Sequence, residues 1–317
     1  MTRNFVIGSR GSDLALWQAN FVKAALESNF PENKFEIKII HTTGDEVVDV
    51  ALSKIGDKGL FTRQIEAALL DGSIDFAVHS LKDLQTEQPA GLRIGAVCKR
   101  ETPNDVLISK TRGTIDDLPQ GAKVATGSLR RRSQLLNHRP DLQIVEIRGN
   151  VPTRLRKFDE SDLDAMILAY AGLHRLGFES RISQIIPFEI MLPAVGQGAI
   201  AIEIRDNDEN VAAMIAKLGD LTTRTAITAE RAFLRRLEGG CQVPIGGYAT
   251  VENGEITLTG VVGSLNGVVV FRETITGPAD QADALGHQLA EHLIGNGAAD
   301  LLDQVRADSQ DRSEATV

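Results

Sequence analysis

The sequence is poor in cysteine, with only Cys98 and Cys241 among 317 residues. Two cysteines are too few for a disulfide framework, and neither stands in a CxxC or Cys/His spacing suited to zinc. We therefore expect reduced thiols and no metal site. Cys98 follows an apolar, strand-like run, which favours a small buried thiol.

Cys241 differs from Cys98 because it stands between glycine pairs in EGGCQVPIGG. Glycines on both sides leave room for a bulky group close to the backbone. A catalytic thiol needs a base, and no histidine follows nearby to act as one. We interpret Cys241 as a permanent covalent attachment point.

Long hydrophobic runs are also missing, so no segment reaches the length of a transmembrane helix, and the first residues lack the apolar stretch of a signal peptide. The formal net charge is −9, with 34 Lys and Arg against 43 Asp and Glu. This balance argues against nucleic acid or an anionic membrane as the partner, since both attract a basic surface. We expect a cytoplasmic protein that binds anions locally.

The sequence does contain a regular alternation of β-rich runs and helical periodicity from Asn4 to about Arg205. This alternation is typical of βαβ units and a parallel sheet. Two α/β lobes fit the number of units better than one. The helices predicted here are Ser12–Glu27, Phe61–Leu70, one that begins at Ser128, and Val151–Phe158.

The period changes to two after the predicted helices Val211–Leu218 and Thr222–Leu237. Asn253-Gly254 and Asn266-Gly267 separate the β-rich runs that follow, and Asn-Gly is a strong hairpin signal. The pattern predicts a three-stranded antiparallel sheet covered by a helix near Gln281–Leu293. The polar residues 307–317 predict a disordered tail.

Arginines gather where predicted strands give way to helices, at Ser9–Ser12, Ser128–Arg132 and Arg148–Arg156. Helix N-termini offer N–H groups, and guanidinium groups bind carboxylate or phosphate through two parallel hydrogen bonds. Open α/β sheets bind ligands at the carboxyl ends of their strands. Although most charged runs simply face water, three such junctions predict a ligand with several carboxylates or phosphates.

A further polar segment, His79–Asp83, follows the predicted strand Ile74–Val78. In an extended loop the side chains of Lys82 and Asp83 would diverge, so that one could contact a ligand anion while the other transfers protons. Equally, Asp83 could cap a helix and Lys82 could be solvated. This segment alone favours neither reading.

Seven short motifs occur in a fixed order across the chain: Ser9–Ser12, Lys58–Phe61, His79–Asp83, Ser128–Arg131, Ile147–Asn150, Leu192–Gly198 and Gly239–Cys241. In this combination the chain resembles the porphobilinogen deaminase family, also called the hydroxymethylbilane synthases, from about Asn4 to the last predicted helix. The resemblance implies two periplasmic-binding-protein-like α/β lobes and a small C-terminal α+β domain with a three-stranded antiparallel sheet. The implied boundaries are 1–98 with 199–217 for domain 1, 104–192 for domain 2, 221–306 for domain 3 and 307–317 for the disordered tail.

The resemblance implies an enzyme, a transferase of tetrapyrrole (heme or chlorophyll) biosynthesis. It would join four porphobilinogen molecules head to tail, releasing ammonia each time, on a dipyrromethane cofactor bound to Cys241 through a thioether. Hydrolysis would then free the linear tetrapyrrole hydroxymethylbilane. Porphobilinogen would be the small-molecule substrate of a monomer, with no nucleic acid and no membrane as partner.

By the same resemblance, Asp83 would assist the loss of ammonia and stabilise the electron-poor azafulvene. The segment Thr42–Lys58 would be a mobile lid that ends near Phe61. The chain departs from the family at Leu84-Gln85, where the second residue is usually proline, and at Ala125–Ser128, where Gly-Thr-Ser-Ser is common. The residues that would bind cofactor or substrate are Arg10, Ser12, Ser80, Lys82, Thr126, Ser128, Arg130, Arg131, Arg148, Arg154 and Arg175.

A non-catalytic two-lobed receptor for a small polyanion is the competing hypothesis. Such a receptor would use the arginines, but it would leave Cys241 and Asp83 without roles.

Overall fold

The computed structural model describes residues 3–46, 59–239 and 243–314. The strands are β1 (Asn4–Ser9), β2 (Lys34–Ile39), β3 (Phe76–Ser80), β4 (Leu92–Val97), β5 (Asp105–Ser109), β6 (Lys123–Ala125), β7 (Gln143–Val145), β8 (Ala165–Ala169), β9 (Gln184–Ile185), β10 (Ile200–Arg205), β11 (Ile245–Glu252), β12 (Glu255–Gly263) and β13 (Val270–Pro278). The α-helices are α1 (Asp13–Asn29), α2 (Thr43–Glu46), α3 (Arg63–Leu70), α4 (Leu129–His138), α5 (Val151–Asp159), α6 (Tyr170–Arg175), α7 (Glu209–Ile215), α8 (Leu221–Arg236), α9 (Ala282–Leu293) and α10 (Ala299–Glu314).

The described chain divides into two compact units. The first unit holds the residues before the gap at 47–58, then 59–101 and 198–224, and the second holds 102–197 and 225–314. The first unit is therefore discontinuous in sequence, and the chain passes between the units at residues 101–102, 197–198 and 224–225.

The first unit is built on a five-stranded sheet in the order β2-β1-β3-β10-β4. β1 is parallel to β2 and β3, whereas β10 is antiparallel to both of its neighbours. The prediction of a purely parallel sheet is wrong at this strand, because β10 begins where the chain re-enters the unit and runs in the opposite direction. Helix α1 packs on the sheet through Ala19, Val22 and Leu26, which recur at helical spacing.

The second unit contains a five-stranded sheet in the order β7-β6-β8-β5-β9. β6 is parallel to β7 and β8, while β5 is antiparallel to β8 and β9. Apolar side chains pack on its two faces, with Leu107 and Val124 in one cluster and Ile108 and Met166 in the other. This alternation follows from the period of two along a strand.

The second unit also contains the antiparallel sheet β11-β12-β13. Its first hairpin turns at Asn253 and Gly254, where both φ angles are positive (52° and 79°), as a tight two-residue hairpin requires. Helix α9 packs against the sheet, and Leu289 joins a core with Phe233 and Leu258. The predicted three-stranded sheet and its covering helix are confirmed.

The α/β fold class with a C-terminal antiparallel sheet is likewise confirmed. The three domain boundaries stay a prediction, since the sheets β5–β9 and β11–β13 lie in one compact unit. Among the described residues, no helix combines the length and the apolar content of a membrane span.

The disordered tail from residue 307 stays a prediction, although the described backbone of α10 continues to Glu314. Its first turns are anchored, since Leu301, Leu302 and Val305 are buried, the two leucines in the core of the antiparallel sheet.

Candidate active site

An open cleft lies in the first unit at the carboxyl ends of β1 and β3. Five residues predicted for the site line this cleft together. They are Arg10, Ser12, Phe61, Ser80 and Asp83.

Arg10 and Ser12 are placed by the junction between β1 and α1. Ser12 is the N-cap of α1, and its Oγ accepts a hydrogen bond from the amide of Ala15 at 3.4 Å. The Arg10 guanidinium lies over the ring of Phe61, with 4.2 Å between its central carbon and the ring centroid. This contact orients the cation through the negative face of the ring.

Lys82 and Asp83 follow β3 in a single 3₁₀ turn, Leu81–Asp83. The predicted extended loop is wrong, because the segment forms a turn, and Asp83 is not the N-cap of this turn, since that position belongs to Ser80. The roles of Lys82 and Asp83 toward a ligand stay a prediction. Antiparallel pairing with β10 extends β3 through Ser80, and the amide of Leu81 donates to the carbonyl of Ala199 at 3.0 Å. The turn thus begins from a fixed strand end, and Asp83 lies in the cleft wall.

Ser80 is held by a neighbour that the sequence did not indicate. The side-chain amide of Gln18, on α1, donates to Ser80 Oγ at 2.8 Å. Both residues line the cleft, so the hydroxyl of Ser80 is fixed in orientation from the helix side.

Three buried titratable side chains lie behind the cleft: His79 on β3, Glu203 on β10 and Glu66 on α3. His79 Nε2 is 3.1 Å from Glu203 Oε2, and His79 also lines the cleft. Burial, together with the charge of Glu203, raises the pKa of Glu66 above its ordinary value. This cluster could not be predicted from local patterns, because its members come from three separate segments.

The second unit brings Arg130 and Arg131 together around a buried carboxylate, Asp105, at the start of β5. Arg130 Nη1 donates to Asp105 Oδ2 at 2.7 Å, and Arg131 donates to Oδ1 from Nε at 3.0 Å and from Nη2 at 2.7 Å. Burial alone would raise the pKa of Asp105, but the two guanidinium groups hold it well below its ordinary range. Both arginines are therefore paired within the protein, which the sequence did not predict.

Ser128 and Thr126 organise the start of α4. Ser128 is the N-cap, and its Oγ accepts from the amide of Arg131 at 3.4 Å. Thr126 is buried, and its Oγ1 accepts from the amide of Ser128 at 3.2 Å. The predicted helix start is confirmed, although the cap engages one of the N–H groups expected to meet a ligand.

The remaining predicted arginines of the second unit lie in or next to the helices α5 and α6. Arg148 precedes α5, and its Nε donates to Glu146 Oε1 at 3.2 Å. Arg154 lies within α5, and Arg175 ends α6 with 9% of its surface exposed.

Three predicted features lie partly or wholly outside the described residues. They are Cys241, the glycine before Cys241, and the predicted lid Thr42–Lys58 from residue 47 onward. Within the described ranges, Cys98 is buried as expected, and no group of three or more His, Cys, Asp or Glu side chains could hold a metal ion.

Comparison with known families shows which family the chain belongs to. Residues 5–213 match the family model "Porphobilinogen deaminase, dipyromethane cofactor binding domain", and residues 224–295 match "Porphobilinogen deaminase, C-terminal domain". This chain belongs to the porphobilinogen deaminase family. The members of this family are enzymes of tetrapyrrole biosynthesis, and the larger matched domain binds their dipyrromethane cofactor.

Curated relatives in this family cover almost the whole chain. The porphobilinogen deaminase of Brevibacillus brevis is 55% identical over 305 residues, covering 96% of this chain and 98% of the relative. That of Chlorobium phaeobacteroides is 51% identical over 310 residues, covering 96% and 99%. Among solved structures, the methionine-binding protein MetQ covers 70% of this chain and 90% of its own at 12% identity and a TM-score of 0.40. Superposition at this level adds nothing to the fold that the sheets themselves establish.

Proposed function

We propose that this chain deaminates four porphobilinogen molecules, joins them head to tail on a dipyrromethane primer attached to Cys241, and releases hydroxymethylbilane and ammonia. The observation that carries this proposal is the cleft that holds the Asp83 carboxylate next to Arg10, Ser12 and Ser80. A carboxylate beside carboxylate-binding groups fits a substrate that has a cationic aminomethyl group on one side and acidic side chains on the other.

Each condensation forms one carbon–carbon bond and breaks one carbon–nitrogen bond. The aminomethyl carbon of the incoming porphobilinogen loses ammonia and bonds to the free α-carbon of the terminal pyrrole, and that α-carbon then loses its proton. Positive charge develops on the pyrrole as ammonia leaves, so a fixed carboxylate there lowers the barrier. Asp83 has this role, and it also accepts and returns protons between steps.

Substrate carboxylates are held by side chains at the same cleft. Arg10 presents a planar fork that binds a carboxylate through two hydrogen bonds, which a lysine cannot copy. The ring of Phe61 packs against the guanidinium group of Arg10. Lys82 adds a positive charge to the turn that carries Asp83, and Ser12 and Ser80 add hydroxyl groups.

The dipyrromethane cofactor bears acetate and propionate groups, and the donor set of the second unit fits such a group. The cofactor supplies the α-carbon at which the first condensation takes place. Residues of this chain would hold its carboxylates through guanidinium and hydroxyl groups. They are Thr126, Ser128, Arg130, Arg131, Arg148, Arg154 and Arg175.

We also propose a cytoplasmic monomer that takes porphobilinogen as its substrate and binds neither nucleic acid nor membranes. Two cysteines outside any disulfide framework fit a reducing compartment. Light scattering during size-exclusion chromatography tests the monomer, since a dimer would double the 34.3 kDa of the chain.

The test of the function is the intact mass of the purified protein, together with its turnover of porphobilinogen. We expect the wild-type chain to be heavier than its sequence by one dipyrrole. Cys241→Ser should fold, lack this adduct and make no product, whereas Cys98→Ser should keep both. A bare wild-type mass without turnover would instead support the polyanion receptor, and an adduct mapped to Cys98 would refute attachment at Cys241.

A further inference from the structure

Asp105 is a fully buried carboxylate of the second unit. Its side chain has no solvent exposure, and it accepts hydrogen bonds from three side chains. Two of the donors, Arg130 and Arg131, stand on the first turn of α4. A buried charge is tolerated only where it is paired and hydrogen-bonded, so Asp105 and the two arginines form one unit.

Each of the two guanidinium groups also donates to a main-chain carbonyl. Arg130 Nη1 donates to the carbonyl of Leu192 at 2.6 Å, and Arg131 Nη1 donates to that of Ile167 at 3.1 Å. A guanidinium has five N–H bonds. When the contacts with Asp105 are included, Arg130 donates two of its five N–H bonds to these partners and Arg131 donates three. These contacts fix the plane of each guanidinium group, and so they also fix the directions of its remaining N–H bonds.

The third donor to Asp105 comes from the segment where the chain passes between the units. Gln197 Nε2 donates to Asp105 Oδ1 at 3.0 Å and to the carbonyl of Pro103 at 2.6 Å. Pro103 and Gln197 lie within two residues of the passages at 101–102 and 197–198. One carboxylate thus connects the arginine pair to both passages.

We propose that Asp105 is a positioning residue, which orients Arg130 and Arg131 toward the carboxylates of the bound pyrrole chain. This inference rests on the proposed function. One negative charge against two positive charges leaves the cluster with a net charge of +1, which suits an incoming carboxylate. The geometry of the pair is set before a ligand arrives, so binding need not order two long side chains.

A matched pair of variants separates positioning from structural support. Asp105→Asn removes the charge and turns an amide N–H toward a guanidinium. Asp141→Asn is the control, because Asp141 makes a two-point contact with Arg139 in the same unit, at 2.7 Å and 2.8 Å, and takes no part in the proposed site. Asp105→Glu keeps the negative charge but displaces the carboxylate. This variant still tests the proposal if Asp105→Asn does not fold.

Three measurements are made on each variant: the unfolding temperature, the fraction of chains carrying the covalent adduct by intact mass, and kcat and KM for porphobilinogen. We expect Asp105→Asn to be incompletely loaded. In Asp105→Glu we expect KM to rise about 10- to 100-fold with a smaller change in kcat, since displacing a binding group by about 1 Å can cost up to ~10²-fold. Asp141→Asn should show wild-type loading and kinetics even if its unfolding temperature falls.

Wild-type KM and loading in Asp105→Glu, or kinetics of Asp105→Asn equal to those of Asp141→Asn, would overturn the inference. If the wild-type chain itself carried no adduct and no activity, the proposed function would fail and this inference with it. A loaded, active wild type beside an unaffected Asp105 variant would reject this inference alone.

Discussion

The arginine beside β1 and the arginine pair after β6 occupy equivalent places in two βα units, yet their surroundings are opposite. Arg10 lies in the wall of an open cleft against the ring of Phe61. Arg130 and Arg131 are buried, and both are hydrogen-bonded to Asp105. The same sequence signal therefore gives a cation that lines an open cleft in one unit and a buried cation pair in the other.

This difference separates two ways of preparing a site for carboxylates. An accessible arginine binds its ligand at little cost to the fold, since it is already solvated. A buried pair needs an internal anion before the protein can fold around it, because desolvating two unpaired cations costs several kcal/mol. The first kind of residue should affect chemistry and binding, and the second should affect stability as well.

The largest effect should come from the carboxylate of the cleft. Asp83→Asn keeps the shape of the side chain but removes its charge and its capacity to accept protons. We expect kcat to fall by about 10²–10⁴ with the unfolding temperature within a few degrees of wild type, because such groups commonly contribute that much to a rate. Steady-state kinetics and thermal unfolding measure both quantities.

Asp75→Asn provides the contrast within the same unit. Asp75 accepts from the amide of Val6 at 2.7 Å and from Arg3 at 2.9 Å, and it lies outside the cleft lining. We expect a loss of stability of about 1–3 kcal/mol and near-wild-type kcat per folded molecule. A rate for Asp83→Asn within a few-fold of wild type would reduce Asp83 to a structural residue.

A second experiment tests the comparison of the arginines directly. Arg131→Leu should destabilise the fold by about 3–5 kcal/mol, since it breaks a buried pair and leaves Asp105 with fewer donors. Arg10→Leu should change stability by less than about 1 kcal/mol, yet weaken substrate binding by about 1.5–3 kcal/mol through the lost charge-assisted contact. Denaturant unfolding and KM for porphobilinogen give the two numbers for each variant. Equal stability losses would show that burial does not distinguish the two arginines.

Local sequence patterns were sufficient to predict much of the fold. Asn253-Gly254 fixed a hairpin because its two residues accept positive φ angles, and Ser128 marked the start of α4 because a hydroxyl there can cap the helix. The motif around Asp83 identified the cleft residue, although it suggested a loop in place of the 3₁₀ turn.

The remainder depends on contacts between distant segments. Asp105 and Arg130 are 25 residues apart, and nothing in their spacing indicates that they meet. The antiparallel strand β10 is unpredictable for the same reason, since its direction follows from where the chain returns to the first unit. Polar residues in the core are placed by tertiary structure, which hydrophobic periodicity does not report.

The smallest expected effect concerns the buried cluster behind the cleft and depends on pH. Burial and the neighbouring Glu203 raise the pKa of Glu66 above its ordinary value of 4.5, while Thr62, His79 and Arg63 lower it in part. Above pH 4.5 the unfolded chain therefore loses a proton that the folded chain still holds. The free energy of unfolding consequently falls as the pH rises from 4.5 through the raised pKa of the folded state.

Glu66→Gln should remove this dependence, because glutamine is neutral in both states. We expect its free energy of unfolding to vary less than that of wild type above pH 4.5, so that the variant gains relative to wild type as the pH rises. Glu209→Gln is the control, since the Glu209 side chain is 83% exposed in the same unit and should leave the wild-type profile unchanged. Urea unfolding at half-unit pH steps gives the three curves. Parallel curves for Glu66→Gln and wild type would mean that Glu66 is ionised in the folded protein, and that His79 and Arg63 neutralise the cluster fully.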